Sequence, residues 1–311
     1  MVISRVLQFV RNSKYQSSFS DLESADFLIV RHDYNCGFFN NGIAYAQIVD
    51  SVVEVGEGLG YKFLTVAKPY SRYFGGAAYN NPYVFNRTFA MISALSKIAL
   101  ILVGKKLSSA FARRLEERFW SRVIRLVNPA AVIAIQPSTA LCAAGKCSGV
   151  KVYDYQHGVI SKDQRWYGKA LQNLKSDRDL PAGILFWDDR SKSVLEEFGQ
   201  ERGIELHVVG NPWFERFAFP SSNDFLVAQH SKPMVGSRED KPVILVSLQW
   251  GLKEIYYKDV EFNGLMCDAL VDVILGTCDI YCWKLRLHPI QLHSENKDDN
   301  LNLLKEMFKG V

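Results

Sequence analysis

The sequence predicts an α/β protein: two Rossmann-like parallel-sheet domains facing a cleft, the second too short to be complete and so read as truncated. Three observations predict it. Short apolar runs of strand length recur along the chain, each ending in polar residues and most followed by a helical stretch, which is the alternation of a parallel sheet with crossover helices. The alternation breaks over a polar stretch at 220–241 and then starts again. At 311 residues the chain is long for one ordinary domain and comfortable for two.

The first buried strand is expected over 26–31, a continuous apolar run closed by charge on both sides. A loop rich in Asn and Gly follows from His32 to Gly42, packed with side chains that donate, accept or stack. A helix over 44–59 with Gly60 as its stop, then a strand over 62–67, come next. The tyrosine-rich stretch 70–83 is too polar and too long for a simple connector and reads as a binding loop. Residues 89–126 read as two helices broken near Gly104. Strands are expected over 129–135, 151–156, 183–186 and 205–209, with a helix over 191–202. The first domain thus spans 1–219, the inter-domain connection 220–241 and the second domain 242–311. In that last part strands over 243–247 and 280–287 flank a helix over 264–275. What remains is shorter than the ~100 residues a self-sufficient α/β domain usually needs, so the domain is a remnant or borrows strands from a partner.

Composition removes several function classes. A hydrophobic share of 48% is that of a soluble globular protein, and 37 basic against 33 acidic residues leave a net charge of only +4. That balance argues against a dedicated nucleic-acid binder. Six cysteines without a tight framework or paired two-residue spacers read as reduced thiols, and no metal is expected. The first 16 residues lack the form of a signal peptide, and the most apolar window, 92–104, falls short of the ~20 residues of a membrane span. The expectation is a cytoplasmic protein. Arg113, Arg114, Arg118, Arg122 and Arg125 alternate with Phe111, Leu115, Phe119, Trp120 and Val123. This basic amphipathic face is either a solvated helix packed on the sheet or a peripheral contact, through 111–125, with anionic lipid at the inner face of the plasma membrane.

In an open α/β sheet the ligand crevice lies beyond the carboxyl ends of the strands, and His157 and His288 both stand at such ends. A histidine titrating near neutrality suits removal of a proton from an acceptor hydroxyl, and His157 is the candidate general base. The alternative is a histidine capping the sheet with both ring nitrogens bonded. Gly158 leaves the imidazole unobstructed, and Gln156 lies beside it. Asp33 is the rival base, although its loop, with Asn35 and Gly37, also suits an ordinary Asx turn. Asn35, Gly37 and Asn211 are candidates for the acceptor side of the cleft. Arg286 and His288 are two apart and project to one side of an extended strand, where they suit a donor phosphate; equally, Arg286 can pair with a surface carboxylate. Gln249 and Gly251 close the neighbouring strand, where glycine lets a ligand approach the backbone, and Trp250 between them stacks or packs. Asp188 and Asp189 are adjacent, and Asp188 equally serves as a helix cap.

The pair Gln156-His157-Gly158 and Arg286-Leu287-His288-Pro289, with the loop Asp33-Tyr34-Asn35-Cys36-Gly37-Phe38-Phe39, resembles the GT-B-type glycosyltransferases of bacterial surface-polysaccharide synthesis. The His-Pro motif resembles that of sialyl- or Kdo-type capsule transferases, which place it at the nucleotide phosphate. His-Gly and His-Pro together resemble the glycerophosphotransferases of teichoic-acid synthesis. The loop resembles transferases of O-antigen and capsule clusters. This resemblance runs from about residue 26 to 289 and implies a GT-B-like fold and a sugar nucleotide, cytidine-based by the His-Pro motif, as donor substrate. It also implies a saccharide or lipid-linked acceptor, His157 on the acceptor side and His288 on the donor side, with no cofactor. The same two histidines serve polyol-phosphate transfer from a CDP-glycerol-type donor. A reading from a different class is a non-catalytic partner protein, since an exposed sheet edge favours association.

Overall fold

The structure, a computed structural model, describes residues 15–32, 38–221, 224–230, 241–249, 265–288, 291 and 297–309. The chain divides into two compact units, Met1–His230 and Ser231–Val311, and both are α/β. The division falls inside the stretch expected to connect the domains.

In the first unit β1 (Phe27–Arg31) is followed by a hairpin of β2 (Phe38–Asn40) and β3 (Ile43–Tyr45), then α1 (Gln47–Gly58), β4 (Phe63–Ala67) and α2 (Asn86–Val127). Next come β5 (Ala131–Ala134), α3 (Thr139–Ser148), β6 (Lys151–Tyr155), β7 (Gly183–Phe186), α4 (Asp189–Val194), α5 (Glu196–Arg202) and β8 (Glu205–Val208). Helices α6 (Pro212–Ala218) and α7 (Phe225–His230) close it. Six strands form one sheet in the order β4-β1-β5-β6-β7-β8, and every neighbouring pair is parallel. The chain runs outward from β1 to β4 and then back past β1 to β5, so the order reverses between β1 and β5. In a doubly wound sheet that reversal opens the crevice where ligands bind.

Both faces of this sheet are covered, which is why its inner strands read as continuous apolar runs. Leu28 and Val30 of β1 join a core formed with Phe119, Trp120 and Val123 of α2 and Leu141 of α3. Ile29, pointing the other way, joins Val49 and Val53 of α1. A third cluster gathers Ile184 and Phe186 of β7 with Tyr167, Leu171 and Leu195.

Three features differ from the expectation. Helix α1 starts at Gln47, because Ala44 and Tyr45 belong to the hairpin, whose two-residue loop Asn41-Gly42 has φ of 49° and 79°. Positive φ at both positions is what a tight two-residue hairpin demands. Helix α3 was not expected; Ser138 caps it by accepting from the Leu141 N–H, and Gly149 ends it at φ 70°. Part of the expected connection is the helix α7, with Leu226 fully buried. The basic face of α2 is core on its apolar side: Phe119, Trp120 and Val123 are buried, Arg113 pairs with Asp179, and Arg122 lies 4.1 Å over the Phe19 ring. Phe119 and Trp120 thus lie inside the fold, while Phe111 stays exposed.

The expected break in α2 is present. Gly104 has φ 80° and ψ 171°, a conformation that costs only glycine nothing. The two arms fold back on one another: Ser96 and Ser108 hydroxyls lie 3.0 Å apart, and the Phe89 and Phe119 rings 4.8 Å apart.

In the second unit β9 (Val243–Ser247) and β10 (Cys282–Arg286) pair in parallel, Val243 opposite Cys282 and Ser247 opposite Arg286. Helices α8 (Asp268–Thr277) and α9 (Lys297–Met307) accompany them, and Leu248, Leu265, Met266, Ile274 and Leu287 form the core. Among the described residues this sheet has two strands.

The carboxyl edge of the first sheet is organised by a buried ion pair. Arg31 ends β1 and lies 3.1 Å from Asp50 of α1, both side chains wholly out of water. Its guanidinium also donates to the Ala44 carbonyl of β3 at 2.6 Å and to the Tyr79 carbonyl at 3.1 Å. Burial pushes the Asp50 carboxyl up to about 7, against the pull of Arg31 and the Ala46 N–H. Arg31→Met strands a buried carboxylate and should destabilise the unit by about 3–5 kcal/mol. Arg31→Met combined with Asp50→Leu should recover much of that loss. Urea denaturation checks both, and an unchanged midpoint for the single variant contradicts the role given to the pair.

Candidate functional site

Four neighbouring strands deliver polar side chains to one place. His32 follows β1, Lys68 follows β4, Gln136 lies just past β5 and His157 just past β6. Lys68 and His157 both act on the His32 imidazole by their charge, and Lys68 on His157. The cluster stands at the carboxyl ends of the strands on either side of the reversal, the position the topology reserves for ligands.

Beneath it Asp154, fully buried on β6, holds the arrangement. Its carboxylate accepts from the Gln136 N–H and from Trp166 Nε1, each at 2.8 Å, and draws the Tyr167 hydroxyl. Trp166 and Tyr167 are presented by the helical turn Arg165–Ala170, whose first N–H groups are capped by Gln164 Oε1. Gln136 has φ 48°, left-handed for a residue that avoids it, and is pinned there from two sides. Asp154 takes its N–H, and Lys68 Nζ donates to its carbonyl at 2.9 Å and to the Ile135 carbonyl at 2.5 Å.

The His157 ring sits between two of these groups. Nε2 is 3.1 Å from the Gln136 side-chain nitrogen, and Nδ1 is 3.3 Å from the Tyr167 hydroxyl. With the Gln136 amide donating, Nε2 carries the lone pair and Nδ1 the proton. Burial, reinforced by Lys68, pulls His157 down to about 4, and burial, Lys68 and His157 do the same to His32. Both imidazoles are neutral at pH 7. Burial brings the Lys68 ammonium down to about 8 and lifts the Asp154 carboxyl to about 6, so both keep their charge at pH 7. The arrangement offers a neutral, oriented nitrogen base beside a half-buried cation.

Other candidates have different roles. Gln156 is buried and spends its side chain inside the fold: Nε2 donates to the Gly158 carbonyl at 2.9 Å and to Ser191 Oγ at 3.1 Å, and Oε1 accepts from the Trp187 N–H. It joins the ends of β6 and β7 rather than lining a cleft. A Cβ at Gly158 meets nothing within 4 Å, so no close approach requires glycine there. Asn211 is the cap of α6, its Oδ1 accepting from the Trp213 and Phe214 N–H groups. Asp188 caps α4 through the Ser191 N–H. Asp33, Asn35, Gly37, Trp250, Gly251 and Pro289 lie outside the described residues.

In the second unit Gln249 and Arg286 are exposed and His288 is half-buried, all at the carboxyl edge of the β9–β10 pair. The His288 N–H donates to Gln291 Oε1 at 2.9 Å, and burial lowers its imidazole pKa. Among the described residues no three His, Cys, Asp or Glu side chains gather as a metal site would need. Sequence reasoning missed Lys68, Gln136, Asp154 and Tyr167. The signal for the first was present, a charged residue immediately after the second predicted strand.

No protein-family description matches the chain, and no curated protein matches it in sequence. Among solved structures it is similar to S. aureus MnaA with UDP, at 10% identity and a TM-score of 0.47 over 92% of this chain and 66% of that one. It is similar to the UDP-GlcNAc 2-epimerase of Methanocaldococcus jannaschii at 12% identity and a TM-score of 0.47, over 91% of this chain and 70% of that one. The wall teichoic acid polymerase TagF is a further likeness, at 12% identity and a TM-score of 0.42, over 92% of this chain and 64% of that one. The chain thus spans about two thirds of the length of these structures.

Removing the Lys68 charge makes the His157 imidazolium less unfavourable, so Lys68→Met should raise the His157 pKa from about 4 towards its ordinary value. NMR titration of the imidazole C–H signals reads this directly. An unmoved titration contradicts the placement of Lys68 beside His157.

Proposed function

We propose that the chain is a GT-B-type glycosyltransferase that moves a sugar from a nucleotide donor to a saccharide or lipid-linked acceptor, with His157 as the general base. The observation that carries this reading is the convergence of His32, Lys68, Gln136 and His157 at the carboxyl ends of four adjacent strands. His157 Nε2 takes the proton of the acceptor hydroxyl as the oxygen attacks the anomeric carbon and the bond to the donor phosphate breaks. Gln136 gives up its hydrogen bond to that nitrogen, while Tyr167 keeps the ring oriented through Nδ1. In the resemblance's donor role, Arg286 offers charge and the uncharged His288 a ring N–H to the departing phosphate.

A base with a pKa near 4 is weak, and the donor supplies the correction. Negative charge brought close to His157 favours the imidazolium and offsets Lys68. The free protein therefore keeps the imidazole neutral, and the charged substrate makes it basic only when it is needed.

His157→Ala should lower turnover by roughly 10²–10⁴-fold with the fold intact, measured as release of nucleotide from cytidine and uridine sugar donors. The base must be neutral, so activity is lost as pH falls through its pKa. The acid limb of kcat/KM should lie near 4 rather than 6.5, and that of kcat at a higher pH. Wild-type turnover in His157→Ala, or calorimetry showing no binding of these nucleotides, overturns the reading. A phosphodiester product in place of a glycoside reassigns it to polyol-phosphate transfer.

A further inference from the structure

The hairpin of α2 has an exterior that, among the described residues, the rest of the fold does not cover. Only 6% of its most apolar 18-residue window is buried. Met91, Leu95, Ile98, Ile101 and Leu102 recur at intervals of three and four, which places them along one face of the first arm, and all five are exposed. Ile101 and Leu102, next to the turn, are 83% and 76% accessible. The inner side of the hairpin is separately accounted for by the Ser96–Ser108 hydrogen bond and the Phe89–Phe119 contact. The outer stripe is therefore not the hairpin's own core, and exposed apolar surface of this extent marks an interaction site.

Charge identifies the occupant. From Asn86 to Leu115 the sequence carries six cations, Arg87, Lys97, Lys105, Lys106, Arg113 and Arg114, and no acidic residue. Lys97, Lys105 and Lys106 are exposed beside the apolar stripe. A second copy of this chain meeting the same face would set cation against cation, which opposes such a dimer. An anionic surface with an apolar interior matches both features. Beyond the Ser96–Ser108 pair the first arm runs on for about 12 Å at the helical rise, comparable with the ~5–10 Å to which interfacial helices sink. Lysine stems are long enough to keep their ammonium groups among phosphates while Ile101 and Leu102 lie deeper.

We propose that the α2 hairpin is a docking element for an anionic phospholipid bilayer, lying in the headgroup region with its apolar stripe towards the acyl chains. This assignment is independent of the catalytic reading, because it uses none of the strand-end residues. The test is co-sedimentation of the full chain with vesicles of phosphatidylcholine alone and of phosphatidylcholine mixed with phosphatidylglycerol. The expected result is binding to the mixed vesicles at low salt that weakens as salt rises. Ile101→Asp with Leu102→Asp should weaken partitioning more than tenfold at an unchanged circular-dichroism spectrum. Lys97→Gln, Lys105→Gln and Lys106→Gln together should weaken it on the order of 100-fold and abolish the preference for phosphatidylglycerol. If the aspartate variant fails to fold, the glutamine variant still decides. Failure of the wild-type chain to bind mixed vesicles at low salt overturns the proposal, as does binding by both variants at the wild-type level. An aspartate variant that turns a dimer into a monomer without altering vesicle binding assigns the stripe to a second copy and also overturns it.

Discussion

Two opposite charges with no access to water are a poor way to gain stability, because the desolvation of each offsets most of their attraction. Arg31 and Asp50 persist because the guanidinium does more than neutralise a carboxylate. Its planar fork reaches the carbonyls of Ala44 and Tyr79 as well as Asp50, and buried carbonyls in irregular backbone need a donor from somewhere. The end of β1, the β2–β3 hairpin, the start of α1 and the stretch after β4 are thereby joined through one side chain. Everything placed at that edge of the sheet inherits its position from this junction, His32 first of all.

The candidate site repeats the device at a finer scale. Asp154 is a single buried carboxylate that gathers a backbone N–H, an indole and a phenol, and each of those positions something else. Gln136 is turned towards His157, Tyr167 is held against the imidazole, and Lys68 is near enough to balance the buried negative charge. Both ring nitrogens of His157 have protein neighbours, which alone would suit a histidine that merely caps the sheet. Beside it stand a second histidine, His32, and Lys68 from adjacent strands, and both imidazoles stay neutral.

How much of this was legible follows from how each element is stabilised. Parallel strands covered on both faces are unbroken apolar runs, so Gly183–Phe186 has in the structure the limits read from the sequence; Val243–Ser247 has them too, although Val243 and Leu245 are exposed. Helix α3 was illegible because Thr139–Ser148 is alanine, cysteine and glycine over most of its length, without large residues to set a period. The hairpin carried an Asn-Gly signal inside a stretch whose polar content suggested only a loop. Strand-end logic singled out His157, which the structure places beside Gln136 and Tyr167. It also selected Gln156 and Asn211, because residues that cap helices and tie strand ends are the same residue types that bind ligands. For Asn211 the following Pro212 was the discriminating sign, a cap with proline at the first helical position. Asp154 was hidden by alternation, since a polar residue inside a strand reads as solvent-facing until the opposite layer is known.

Gln136 shows what the site demands of the chain that carries it. A glutamine at φ 48° is held in a conformation that glycine adopts freely, so the unfolded chain and the folded sheet would both tolerate a smaller residue at this position. Only the side-chain amide beside His157 argues for keeping it. Variation selected for heat resistance alone would therefore drift towards glycine here and disarm the imidazole's neighbourhood while leaving the core intact. Under the proposed function, the residue after Ile135 would separate descendants of this sequence kept for chemistry from those kept only for shape.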